Sequence, residues 1–460
     1  MGKTRAGQAG NMTTSTIATQ GFGVFAYNTG SATLSDATTF ATYKPDFMYN
    51  QKVTSGDAGS TWSYTPLKYW PNGIDAGNSA NSNSPSVTAT ESGIQYLSFF
   101  AYGPYTDKVT VSATDYNLKP TAGTFHDGSD NEYVTAVSNE AFGILSLTSN
   151  GTAGDPKITY RFKYDSGNSK YDISETNNVD LLWGLRNDNS YDEADGTDNT
   201  AATNYNINLT KQTTTEKVNF LFKHALAKIG GYTGSASGIK VVADFDANET
   251  TNPTAQGSGS IDSKTVITLN SITIANGGSG SSTFAINGIF DLATGTWDTS
   301  ASTKGVFSNE YTKSTANINS DVWETATPVW STDKWAWTGS TATPGVTQSM
   351  KNVFSGSTDA LYFIPTSTGQ SLKITVQYTV RTYDTNLPQE TGGSTCSKVT
   401  QTITNDVDIS ALTSNHYYTL IIHLGMTSVK FAASVADWET TTGGTADNKL
   451  IWLPSNVVGS

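Results

Sequence analysis

Two apolar runs that alternate with period two, joined by a short turn, constrain this chain more than any other feature. Within residues 417–438, Tyr418, Leu420, Ile422 and Leu424 alternate on the first run, and Val429, Phe431, Ala433 and Val435 on the second. Gly425-Met426-Thr427-Ser428 lies between them. Such alternation gives each strand one buried and one wet face. A Thr- and Gly-rich spacer, residues 440–446, follows Trp438, and a last apolar run, Leu450-Ile451-Trp452-Leu453-Pro454, lies close to the end of the sequence. An apolar strand on a flexible spacer pairs either at home, as the edge of its own sandwich, or with another molecule.

The chain has 460 residues, enough for two or three domains with cores of their own. Hydrophobic residues make up 36% and charged residues only 15%; Gly, Ser, Thr and Asn fill the difference, a mixture suited to short strands joined by many turns. The net charge of −13 repels phosphate backbones and anionic lipid, which disfavours nucleic acid and membrane surfaces as partners. The one cysteine, Cys396, can build neither a disulfide framework nor a thiolate metal site within one chain. No apolar run reaches the length of a membrane span. No signal peptide opens the sequence, and its first residues read as the start of an already processed protein.

Along the chain, residues 8–20 are polar and Thr-rich and read as a loose arm. Strands are expected at residues 22–27, 62–71, 96–102, 181–184 and 218–222, then at 239–245, 266–274, 284–292, 360–365, 372–383 and 397–403. Residues 225–228 are good helix formers and suit one helical turn. Residues 187–202 are acidic and poor in apolar side chains, which predicts a domain boundary between about Asn187 and Glu216. The expected organisation is an arm over 1–20, one β-sandwich domain over 21–200, a second over 201–446, and a tail over 447–460. The fold class is all-β, a pair of antiparallel sandwiches.

Catalytic signatures are missing. The chain has no G-x-S-x-G elbow, H-E-x-x-H helix, P-loop or Rossmann fingerprint. Its histidines, His126, His224, His416 and His423, are not spaced as metal ligands, and His224 reads as a hydrogen-bonded structural residue. Neither a metal nor a cofactor is expected. Four tryptophans, Trp323, Trp330, Trp335 and Trp337, fall close together. Flat rings of this kind stack on sugars, and they equally fill cores or subunit contacts.

Several stretches together resemble the fimbrillin family, the type V pilins of Gram-negative anaerobes. They are Trp62-Ser-Tyr-Thr-Pro-Leu-Lys-Tyr-Trp-Pro71 followed by Leu97-Ser-Phe-Phe-Ala-Tyr102; Val218 to Ile229 with His224-Ala225-Leu226-Ala227-Lys228; and Asn287-Gly-Ile-Phe-Asp-Leu292 closing at Gly295-Thr296-Trp297. Leu361-Tyr-Phe-Ile-Pro365 with residues 374–383, and the 417–438 stretch, complete the set. Five weak motifs in the right order make a specific pattern.

The resemblance implies two β-sandwich domains of transthyretin-like topology. It implies a lipoprotein precursor, an Arg-specific cut that removes a leading strand, and a vacated groove filled by a C-terminal strand of the next subunit. Arg5-Ala6 is placed like that cut. Leu450, Ile451, Trp452 and Leu453 are the candidate donor strand. The partners implied are other pilin subunits, as a head-to-tail homopolymer or with accessory pilins, on the outer cell surface. The alternatives are a tip adhesin or surface glycan-binding protein that meets a host glycan or protein through the tryptophans, and, further off, a glycoside hydrolase.

Overall fold

A computed structural model describes residues 5–6, 9–30, 32, 34, 43–71, 95–111, 114–118, 141–147, 156–186, 206–211, 217–230, 239–244, 265–277, 284–300, 308–311, 316–317, 351–352, 360–366, 369–383, 386–387, 396–409, 411–425, 429–437 and 451–452. The regular structure among the described residues is almost all strand, as the period-two pattern predicts. Among the described residues, four larger sheets carry the strands, beside two two-stranded ribbons, Lys163–Asp165 with Lys170–Asp172 and Lys108–Val111 with Thr114–Asn117.

The first sheet runs in the order Phe220–His224, Leu182–Arg186, Tyr96–Gly103, Phe22–Gly30, Met48–Val53, with Asn206–Leu209 also on Tyr96–Gly103. Both of its faces are covered. Phe25, Tyr27, Phe100 and Tyr102 point into the main core. Phe22, Val24, Ala26, Leu97, Phe99 and Ala101 point the other way, into a second apolar cluster with Met12 and Ile17. The second sheet runs Arg5–Ala6, Phe142–Leu147, Lys157–Arg161, Asn287–Asp291, Thr296–Asp298.

The third sheet runs Lys351–Asn352, Ile239–Asp244, His416–Gly425, Ala227–Ile229, Leu361–Phe363. The expected hairpin partner Val429–Asp437 pairs with His416–Gly425 and carries Ile451–Trp452 beyond it. The fourth runs Ser308–Tyr311, Thr265–Asn276, Gln370–Tyr383, Cys396–Ile409, with Ala316–Asn317 on Thr265–Asn276. One apolar core continues from Phe25 and Tyr102 through Leu226 and Phe290 to Tyr362 and Ile374.

Several local expectations are corrected. Residues 14–20, expected within a loose arm, form a helix, Thr14–Gln20, that buries Ile17 and Ala18. Thr13 caps it, accepting from the Thr16 N–H while the Thr16 side chain accepts from the Thr13 N–H, a reciprocal cap that holds a short helix. Residues 62–71 are not a strand; Ser63 makes one bridge to Thr54, and the rest runs irregularly with a cis Thr65–Pro66 bond. Residues 225–228 do not make a helical turn. The Ala225 N–H donates to the Leu181 carbonyl at 2.7 Å, the Leu226 carbonyl accepts from Asn415, and Ala227–Ile229 pairs with Leu361–Phe363. Neighbouring strands take the backbone groups that a helix would use, and helix propensity gives way.

Pairing also crosses the 187–216 region. Asn206–Leu209 and Phe220–His224 complete the first sheet beside strands from residues 96–103 and 182–186. Asn287–Asp291 pairs antiparallel with Lys157–Arg161 across five residue pairs. The hairpin it forms with Thr296–Asp298 is locked on by two tryptophans. Trp297 Nε1 donates to the Ala225 carbonyl at 2.6 Å, and Trp183 Nε1 donates to the Leu292 carbonyl at 3.2 Å.

Candidate assembly site

The two ends of the described chain each lie on a sheet edge and each pair through only two residues. At one end, Arg5 and Ala6 run parallel to Phe142 and Gly143. The strand they cap, Phe142–Leu147, is buried at all six positions. It has no other neighbour on that side among the described residues. An apolar strand whose outer edge is covered this briefly is open to strand addition once the cover leaves. At the other end, Ile451 and Trp452 pair antiparallel with Ala433 and Ala432 at the rim of the third sheet. Of the candidate donor residues, Leu450 and Leu453 lie outside the described residues, as do Trp323, Trp330, Trp335 and Trp337.

Just past Arg5-Ala6, the chain is held by buried charge. Ala9 and Gly10 bridge to Val179, and the Gly10 N–H donates to the Asn178 carbonyl at 3.0 Å. The next two backbone N–H groups find carboxylates: Asn11 donates to Glu175 Oε1 at 3.0 Å and Met12 to Asp180 Oδ2 at 2.8 Å. Both carboxylates are buried. Each meets a basic side chain from the segment that opens the second half. Lys228 Nζ lies 3.1 Å from Glu175 Oε2, and His224 Nδ1 lies 2.8 Å from Asp180 Oδ2. Lys228 Nζ also donates to Asn11 Oδ1 at 3.4 Å. Burial pushes the Glu175 carboxyl up, against the opposing pull of Lys228.

The loop that carries the two acids is itself pinned. Asn178, fully buried, donates to the carbonyls of Asp172 and Ser174 and accepts from the Lys163 N–H. The Glu175 N–H donates to the Ala360 carbonyl, and the Tyr362 N–H to that of Ile173. One cluster therefore ties the N-terminal stretch, the 172–180 loop and the opening of the second half together. Sequence reading placed His224 as a hydrogen-bonded structural residue, and its bond to Asp180 fits that reading. It missed Glu175, Asp180 and Lys228. Their one local signal is a charge set inside an apolar run, as in Val179-Asp180-Leu181-Leu182 and Ala227-Lys228-Ile229.

The described residues contain no group of three or more His, Cys, Asp or Glu placed to hold a metal ion, and no helix long and apolar enough to cross a membrane.

No family model matches the chain. Over 438 residues it is 25% identical to "Fimbrium subunit Fim1C" of Phocaeicola vulgatus, an alignment that covers 93% of this chain and 84% of that protein. Its fold is similar to that of a fimbrial protein from Bacteroides vulgatus ATCC 8482, with a TM-score of 0.51 at 20% identity, covering 93% of this chain and 96% of the other. Both proteins are named as fimbrial. Over most of its length the chain is thus similar to a fimbrium subunit, in keeping with the ordered motifs of its sequence.

Proposed function

We propose that the protein is a structural subunit of a cell-surface fimbria that polymerises by donor-strand exchange after a cut at Arg5-Ala6. The observation that carries this reading is the short two-residue cover on the edge of Phe142–Leu147. A cut after Arg5 releases one of the two covering residues and leaves Ala6 as a free end that can leave the edge. A strand from another subunit then satisfies its unpaired backbone groups, with alternate side chains setting register; pilin donor-strand complementation is a standing example of such strand addition. Head-to-tail contacts that do not close produce a filament.

The donor is the C-terminal run Leu450-Ile451-Trp452-Leu453, held at home through two residue pairs. Burying each large side chain contributes about 1.5–3 kcal/mol, enough in sum to offset ordering of one short strand. Pro454, without an N–H, marks where the ladder ends. The partners are copies of this chain or accessory pilins. The subunit is built as two β-sandwich units whose seam is bridged by residues 206–224 and the 287–298 hairpin, and it reaches the outer surface as a lipoprotein precursor.

The test is deletion of residues 449–460 from protein cut after Arg5. The expected product is a folded monomer that forms no filaments in electron micrographs. Unfolding on truncation would make the tail an ordinary core strand, and continued filament growth would assign the donor elsewhere.

A further inference from the structure

We propose that Lys228 and Asn11 become joined by an intramolecular isopeptide bond, with Glu175 as the proton carrier. The Lys228 side chain meets those of both Asn11 and Glu175, and Glu175 also holds the Asn11 backbone. Lys228 Nζ is the nucleophile, 3.4 Å from the Asn11 side-chain carbonyl oxygen. Glu175 reaches both partners: its Oε2 lies 3.1 Å from Lys228 Nζ, and its Oε1 accepts the Asn11 backbone N–H at 3.0 Å. The side chains of Lys228 and Glu175 are only 4% and 3% exposed, and Asn11 beside them is half-buried. The Tyr362 ring covers the ammonium, its centroid 6.0 Å from Nζ.

The low-dielectric surroundings set the chemistry. Two opposite charges taken out of water are costly, and moving one proton from Lys228 to Glu175 removes both. Burial already raises the Glu175 carboxyl, which favours its neutral form. The neutral amine then attacks Asn11 Cγ. The new C–N bond forms as the Glu175 proton passes to Oδ1. The carboxylate left behind takes a proton from the attacking nitrogen and delivers it to Nδ2. Collapse breaks the Cγ–Nδ2 bond and returns the Oδ1 proton to Glu175. One ammonia leaves, one amide joins the side chains, and Glu175 ends protonated. No oxidant or cofactor enters the balance.

The link would anchor the stretch just beyond Arg5-Ala6 to the second half of the chain, whether or not the protein polymerises. It closes a covalent loop from residue 11 to residue 228, which restricts the unfolded chain. A pull on the N-terminal end would then pass to the strand Ala227–Ile229 through a bond that cannot slip.

The measurement is the intact mass of the full chain in denaturant, followed by tryptic mapping. The expected mass is below the sequence value by one ammonia. A branched peptide should join the Asn11 and Lys228 fragments, with no cleavage after Lys228. Lys228→Arg and Glu175→Gln should each restore the full mass. The unmodified chain decides the matter alone if a variant does not fold: full mass, or no branched peptide, overturns the proposal. Loss of water in place of ammonia would put the bond on a carboxylate. Ammonia loss that persists in Lys228→Arg would mark a succinimide at Asn11. Either of these results also overturns it.

Discussion

Asp180 Oδ2 lies 2.8 Å from His224 Nδ1, and that same oxygen accepts the Met12 backbone N–H at 2.8 Å. One buried carboxylate thus fastens the N-terminal stretch to the first half of the chain and to the start of the second. Removing one partner of a buried polar pair leaves the other unsatisfied, at a cost of about 3–5 kcal/mol when the pair is charged. Asp180→Ala should lower the urea midpoint, with a loss of unfolding free energy of at least the about 1–3 kcal/mol that unpaired buried donors cost. An unchanged midpoint would mean that the cluster relaxes into water.

Gly295 has φ +68°, and a Cβ added there would run into the Trp183 ring. The left-handed backbone costs a side chain roughly 1–2 kcal/mol, and the crowding of a packed ring costs about 1–3 kcal/mol more. Gly295→Ala should therefore destabilise the protein in denaturant titration. It should also loosen the 287–298 hairpin, visible as faster hydrogen exchange at Phe290 and Trp297.

Asp57 is an exposed carboxylate held by its own turn. Its oxygens accept from the Thr61 hydroxyl and N–H, each at 2.6 Å, and from the Ser55 hydroxyl at 2.8 Å. These bonds, with the Thr61 hydroxyl first, hold its pKa down to about 2. A depressed carboxyl contributes stability that is present above its ordinary value and lost as pH falls through about 2. Thr61→Val should move the Asp57 titration, followed by NMR, back toward the ordinary carboxylate range. A titration that stays at about 2 would assign the shift to the other bonds.

Arg5 and Arg161 should respond differently to an Arg-specific protease. Arg161 is buried, and its Nε and Nη2 both donate to the Ala141 carbonyl. Arg5 sits in a two-residue pairing at a sheet edge. Limited digestion should cut after Arg5 before any cut after Arg161. The reverse order would count against Arg5 as the processing site.

A cut engineered between residues 187 and 205 should leave two fragments that remain together in size-exclusion chromatography. The reason is the pairing of Phe220–His224 with Leu182–Arg186 and of Asn287–Asp291 with Lys157–Arg161. Fragments that separate as stable pieces would favour two self-contained units.

The strands were legible because their signal is local. Alternation in residues 417–424 and 429–435 marked the hairpin, and the runs at 22–27, 96–102, 239–245 and 372–383 marked others, since each side chain's face follows from its neighbours two residues away. The helix Thr14–Gln20 had a local signal too, in the Thr13 and Thr16 cap, but its burial depends on Phe22 and Leu182, which pack in the same apolar cluster.

What sequence could not supply is which strands meet. Nothing near Asn287 says that it pairs with Arg161, and nothing near Ala227 says that a strand will override its helix propensity. Asn11, Glu175, Asp180, His224 and Lys228 are scattered over more than two hundred residues of chain, and each alone is an ordinary polar residue. Only the tertiary fold brings them within hydrogen-bonding distance and away from water, and that desolvation turns an ordinary set of charges into a site.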